Sequence, residues 1–102
     1  MKYTLIYSLN AENDLNGIFD YIAADNPSRA VSYIDEMEAA IKNLILFPFM
    51  GREVRGKRIA VKQRRLIFGN YKIIYEVRTG EKQVYIKSIE HGAKDEKEDK
   101  EF

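Results

Sequence analysis

Cysteine is absent from this chain of 102 residues, and histidine occurs once. The first absence excludes disulfides and thiolate metal sites, so stability must come from packing alone. The second leaves the acidic side chains without the histidine partners of a zinc-type site, and no metal is expected. No apolar run approaches the ~20 residues that cross a bilayer. The opening Met1-Lys2-Tyr3-Thr4-Leu5-Ile6-Tyr7 is too short and too aromatic for a signal-peptide core. A soluble cytoplasmic protein with no membrane partner is the expectation. Net charge is also nearly missing, at +1 for pH 7. That argues against indiscriminate coating of nucleic acid, which needs a broad cationic surface.

What charge there is has been sorted by region. Arg52, Arg55, Lys57, Arg58, Lys62, Arg64 and Arg65 fall in one stretch opposed only by Glu53. Between Ala11 and Leu46 the acids Glu12, Asp14, Asp20, Asp25, Asp35, Glu36 and Glu38 face only Arg29 and Lys42. One end should therefore attract phosphates or an acidic partner. The plainer reading of such a run is a solvated strand face that blocks edge pairing.

The length suits one domain, predicted over residues 1–93, and a charged tail over 94–102 that reads as a frayed helix or disorder. Tyr3 to Ser8 alternates like a strand, and Asn10 is the predicted cap of a first helix with the stripe Ala11, Leu15, Ile18, Phe19 and Ile22. Asn26-Pro27 ends it and starts a second, striped by Ala30, Ile34, Met37, Ile41, Leu44 and Ile45 and stopping at Phe47-Pro48. Phe49 to Gly56 reads as a loop. Three strands follow, through Ile59 to Phe68, Tyr71 to Val77 and Val84 to Ile89. The expected fold is α+β, in the order β-α-α-β-β-β, with a helical hairpin on a mainly antiparallel four-stranded sheet. The position of the first strand is open.

This order carries a resemblance. Asp14-Leu15, Ile18, Tyr21-Ile22, Asn26-Pro27, Ala30, Phe47-Pro48-Phe49-Met50-Gly51-Arg52, Arg65-Leu66-Ile67, Tyr71 to Val77 and Ile89-Glu90-His91-Gly92-Ala93-Lys94-Asp95 together resemble the RelE/ParE superfamily of bacterial toxins. The resemblance implies the toxin of a type II toxin-antitoxin module, wrapped and silenced by a cognate antitoxin. RelE-like members cut messenger RNA in the ribosomal A site, whereas ParE-like members poison DNA gyrase. The Pro-x-Met-Gly-Arg segment and the His-Gly-Ala-Lys-Asp ending look more ParE-like, or like the related plasmid stabilisation proteins. Lys94 stands where an arginine is usual.

Metal-independent RNA cleavage needs a proton acceptor, cations on the scissile phosphate and an acid for the leaving oxygen. The resemblance makes Arg65 and His91 the catalytic candidates if the chain is RelE-like. Strand alternation places Arg58, Lys62 and Arg64 on one face and Arg65 on the other, unless a bulge near Gln63 or Arg64 intervenes. His91 has the alternative of capping the sheet. The terminal tyrosine that the nuclease branch often uses is missing, since no tyrosine follows His91. The candidate binding residues for nucleic acid or an acidic partner are Arg52, Arg55, Lys57, Arg58, Lys62, Arg64, Arg65 and Lys94. Tyr21, Tyr71 and Tyr75 read as packing residues, with Tyr85 left open. Gly51 and Gly56 form no phosphate-cradling motif, so no cofactor is expected. A toxin-fold relative that only binds an antitoxin is the third reading.

Overall fold

A computed structural model describes residues 2–54 and 63–92. The elements run β1 (Thr4–Tyr7), α1 (Leu9–Ala23), α2 (Pro27–Lys42), β2 (Arg52–Val54), β3 (Gln63–Phe68), β4 (Tyr71–Arg78) and β5 (Gln83–His91). The strands form one sheet in the order β1-β5-β4-β3-β2. Only β1 and β5 run parallel; the other neighbours are antiparallel. The first strand thus sits at an edge, beside the last.

α1 begins two residues earlier than the predicted Asn10 cap implies. Ser8 is the cap: its Oγ accepts a 2.9 Å hydrogen bond from the Ala11 N–H and donates one of 2.8 Å to the Lys87 carbonyl. One hydroxyl therefore satisfies an orphan helix donor and ties the helix to β5. Asn26 caps α2 as expected, with Pro27 at the first helical position. α2 itself stops at Lys42, and a single 3₁₀ turn over Asn43–Ile45 carries the chain toward Phe47-Pro48.

The predicted stripes bury. Ala11, Ile18, Met37, Ile41 and Leu44 pack on Ile73, Tyr75, Val84, Ile86 and Ile89, with Leu15, Ile22 and Ile34 at the margin. The sheet has five strands, not four, because Arg52–Val54, read as loop, pairs with Gln63–Arg65. This edge strand is short and mostly exposed, so it has no apolar alternation to announce it. Residues 59–62 and the tail from 93 to 102 lie outside the described residues.

One turn and one bulge shape the meander. Gly69 takes a φ of 59° at the first position of the two-residue turn joining β3 to β4, the conformation that favours glycine there. Between Ile74 and Tyr75 the β4–β5 register slips, leaving Lys87 as the extra residue.

Candidate functional site

Register decides which candidates share a face, because paired residues project to the same side of a sheet. Arg65 pairs with Ile74, and Ile74 with Ser88. Phe68 pairs with Tyr71, and Tyr71 with His91, on the side that carries the core residues Ile73 and Ile89. Arg65 therefore lies on the outer face and His91 on the helix-packed face. The pairs around β3 run in unbroken register from Arg64 to Phe68, and from Arg52–Arg65 to Val54–Gln63, so no bulge at Gln63 or Arg64 brings Arg64 and Arg65 together.

The cationic segment divides accordingly. Arg52 is exposed and is the direct neighbour of Arg65, which is only 4% exposed. Arg64 is engaged locally: its Nη1 donates to the carbonyls of Gly51 at 2.7 Å and Phe49 at 3.3 Å, and its guanidinium sits 5.0 Å from the centre of the Phe49 ring. Glu53 lies 3.9 Å from its Nη2. That cation holds a loop in place. Arg55, Lys57, Arg58, Lys62 and Lys94 lie outside the described residues. The outer face also carries Lys72 and the group Arg78, Glu76 and Lys87, in which Arg78 donates to Glu76 at 2.8 Å and covers the Tyr85 ring at 4.2 Å. Tyr85, left open by its parity, is thus a stacking partner for Arg78.

The loop that Arg64 holds is apolar and outward-facing. Leu46, Phe47, Phe49 and Met50 are all more than half exposed, while Pro48 between them is buried. Its rigidity comes from Tyr75, whose hydroxyl donates to the Pro48 carbonyl and accepts from the Gly51 N–H, both at 2.9 Å. Gly51 is required by this closeness: a Cβ there would stand 2.4 Å from the Tyr75 hydroxyl and 2.7 Å from the Arg65 carbonyl oxygen. Burial raises the Tyr75 pKa above the usual phenol value, against the smaller pull of its bond from Gly51 and of Arg64. The phenol is therefore neutral and keeps its proton to donate.

His91 belongs to a different place, an open groove of about 450 Å³ between α1 and the end of β5. Its described lining is Asn13, Asp14, Gly17, Ile18, Tyr21, Tyr71, Ile89 and His91. The imidazole meets the Tyr71 ring edge-on at 5.1 Å. Asp14 Oδ2 accepts a 2.8 Å bond from the Ile89 N–H, beyond the end of β1 where no strand neighbours β5. Tyr21, expected to pack, is 78% exposed at the rim. Gly17 lines the groove. Glycine inside a helix costs about 0.5–1 kcal/mol against alanine, yet an added Cβ here meets nothing within 4 Å. Packing among the described residues does not call for it. Sequence periodicity could not find this residue, because a lone glycine between Asn16 and Ile18 looks like a tolerated gap on the polar side.

Among the described residues no group of three or more His, Asp or Glu side chains could hold a metal ion, and no helix is long and apolar enough to cross a membrane.

Comparison with known proteins follows the architecture. The family model "ParE toxin of type II toxin-antitoxin system, parDE" matches residues 5–96. Curated protein sequences give no match. Among solved structures, one of the chromosomal ParDE toxin-antitoxin system from P. aeruginosa superposes with a TM-score of 0.72 at 20% identity, covering 89% of this chain and 97% of that one. The toxin-antitoxin complex RelBE2 from Mycobacterium tuberculosis gives 0.62 at 20% identity over 89% and 99% of the two chains. The archaeal RelE-RelB complex from Pyrococcus horikoshii gives 0.56 at 16% identity over 89% and 96%. At these identities the structures speak for the fold.

Proposed function

The chain belongs to the ParE toxin family of type II toxin-antitoxin systems, and from that premise we propose that it arrests growth by contacting DNA gyrase and is neutralised by a cognate antitoxin. The observation that carries this reading is the separation of Arg65 from His91 on opposite faces of the sheet. Proton transfer needs its group within hydrogen-bond reach of the reacting atom. A phosphate held by Arg65 is screened from His91 by the sheet itself. Neither residue then serves as half of a nuclease pair.

Contact with a protein is supported by the braced apolar loop at Leu46 to Met50. Exposed apolar clusters on a rigid support are the usual anchors of protein interfaces. Both the target and the antitoxin place the chain's work in the cytoplasm. The endoribonuclease reading retains one support, the cations Arg52, Arg65, Lys72, Arg78 and Lys87 on the outer face against Glu76 and Glu90. A non-toxic antitoxin-binding relative is the remaining alternative.

Brief expression in bacteria separates the three. Filamentation with induction of DNA-damage signalling is the expected phenotype, relieved by coexpression of the antitoxin. Abrupt arrest of translation with messenger cleavage would favour the nuclease, and normal growth the inert relative. The antitoxin segment crossing Arg52 to Arg65 is expected to be net acidic or mixed, by charge complementarity.

A further inference from the structure

The groove under Tyr21 has the chemistry of a receptor for a positive charge. Its described walls hold one carboxylate, Asp14, and three rings, from Tyr21, Tyr71 and His91, with no lysine or arginine. α1 contains no basic residue, and its Glu12 lies on the other side of the helix, beside Leu15 and Glu38. The local field therefore favours a cation and opposes phosphate. Asp14 gives Oδ2 to Ile89 and keeps Oδ1 available, and the Tyr21 and Tyr71 hydroxyls and the imidazole of His91 make no hydrogen bond within the described residues. Gly17 supplies the independent observation. A residue that weakens its own helix, and whose Cβ would touch nothing among the described residues, leaves room for a further group.

We propose that this groove receives an arginine side chain of a protein partner, its guanidinium between Asp14 and the tyrosine rings and its aliphatic stem on Ile18 and Ile89. Arginine fits better than lysine because its planar head stacks on aromatic faces while bonding a carboxylate in its plane. A protein source fits better than the free amino acid because the groove, at about 450 Å³ and open to solvent, is of the size that takes several groups at once. The apolar floor then contacts the arginine's neighbours in the partner chain. This holds whether or not gyrase is the target.

The probe is the capped tripeptide acetyl-Leu-Arg-Leu-amide, titrated into the ¹⁵N-labelled full chain, with the citrulline tripeptide and free arginine as controls. Saturable shifts are expected at the amides of Gly17, Tyr21, Ile89 and His91. The citrulline peptide, equal in shape but uncharged, should bind about tenfold more weakly or worse, and free arginine more weakly than the peptide. Asp14→Asn retains an oxygen for the Ile89 N–H and removes the charge, so it should weaken the arginine peptide about tenfold without moving the citrulline peptide. Gly17→Phe should abolish binding of both while the rest of the spectrum stays dispersed. Equal binding of the arginine and citrulline peptides, shifts away from these amides, unimpaired binding to the Gly17→Phe chain, or free arginine binding as tightly as the peptide would each overturn the proposal.

Discussion

Tyr75 and Gly51 illustrate how much a single side chain organises. The hydroxyl of Tyr75 satisfies two buried backbone groups of a loop 24 and 27 positions away. Tyr75→Phe should therefore leave both unsatisfied and lower the unfolding free energy by about 1–3 kcal/mol, read from urea denaturation at constant slope. Gly51→Ala forces a methyl onto backbone as well as side chain and should cost at least as much, about 1–3 kcal/mol. Asp14 allows a cleaner comparison: Asp14→Ala strands the Ile89 N–H, at a cost of about 1–3 kcal/mol, whereas Asp14→Asn keeps an acceptor and should lose much less. Tyrosine ionisation adds a pH dependence. Burial, helped by Glu38, pushes the Tyr7 pKa up to about 12 from the usual phenol value of 10.0, and burial raises those of Tyr33, Tyr71 and Tyr75 as well. Above pH 10 the unfolded chain releases these protons while the folded chain retains them, so stability falls as pH rises through that range. Thermal melting should hold steady from neutral pH to about 9 and decline beyond 10. The sequence displayed Pro48, Gly51 and Tyr75 as separate marks in a familiar string. Their common purpose was hidden because it depends on a contact across the fold.

At the scale of elements, helices were the most legible part. Both apolar stripes repeat at helical spacing, and Ala11, Ile18, Met37, Ile41 and Leu44 are all buried where that spacing puts them. Termini were less legible, since Ser8 and Asn10 are both good caps and both reach the Lys87 carbonyl; only the bond that Ser8 Oγ accepts from the Ala11 N–H distinguishes them. Ser8→Ala removes the cap and the tether together and should lower stability by about 1–2 kcal/mol, measurable by calorimetry. β2 could not be read at all: Arg52-Glu53-Val54 shows no alternation, and its pairing with β3 is set by tertiary geometry. Strand faces followed correctly from parity for Arg64 and Arg65. What parity could not supply was the place of His91 relative to Arg65, which requires the registers of β3, β4 and β5 together.

For the molecule as a whole, two faces of one sheet carry different chemistry. The outer face is cationic and holds Arg65; the helix side carries the core, and at its end an acidic, aromatic groove holds His91. Charge sorting was visible in the sequence as acids before residue 46 and bases after 52. Its division between two faces was not. That division sets Arg65 and His91 on opposite faces, which is the ground of the proposed protein-directed activity. Supercoiling of relaxed plasmid by purified DNA gyrase, with the purified chain added in increasing amounts, tests this most directly. The account predicts loss of supercoiling that the cognate antitoxin reverses, and an unaffected gyrase beside ribosome-dependent cleavage of messenger RNA by the same preparation would contradict it.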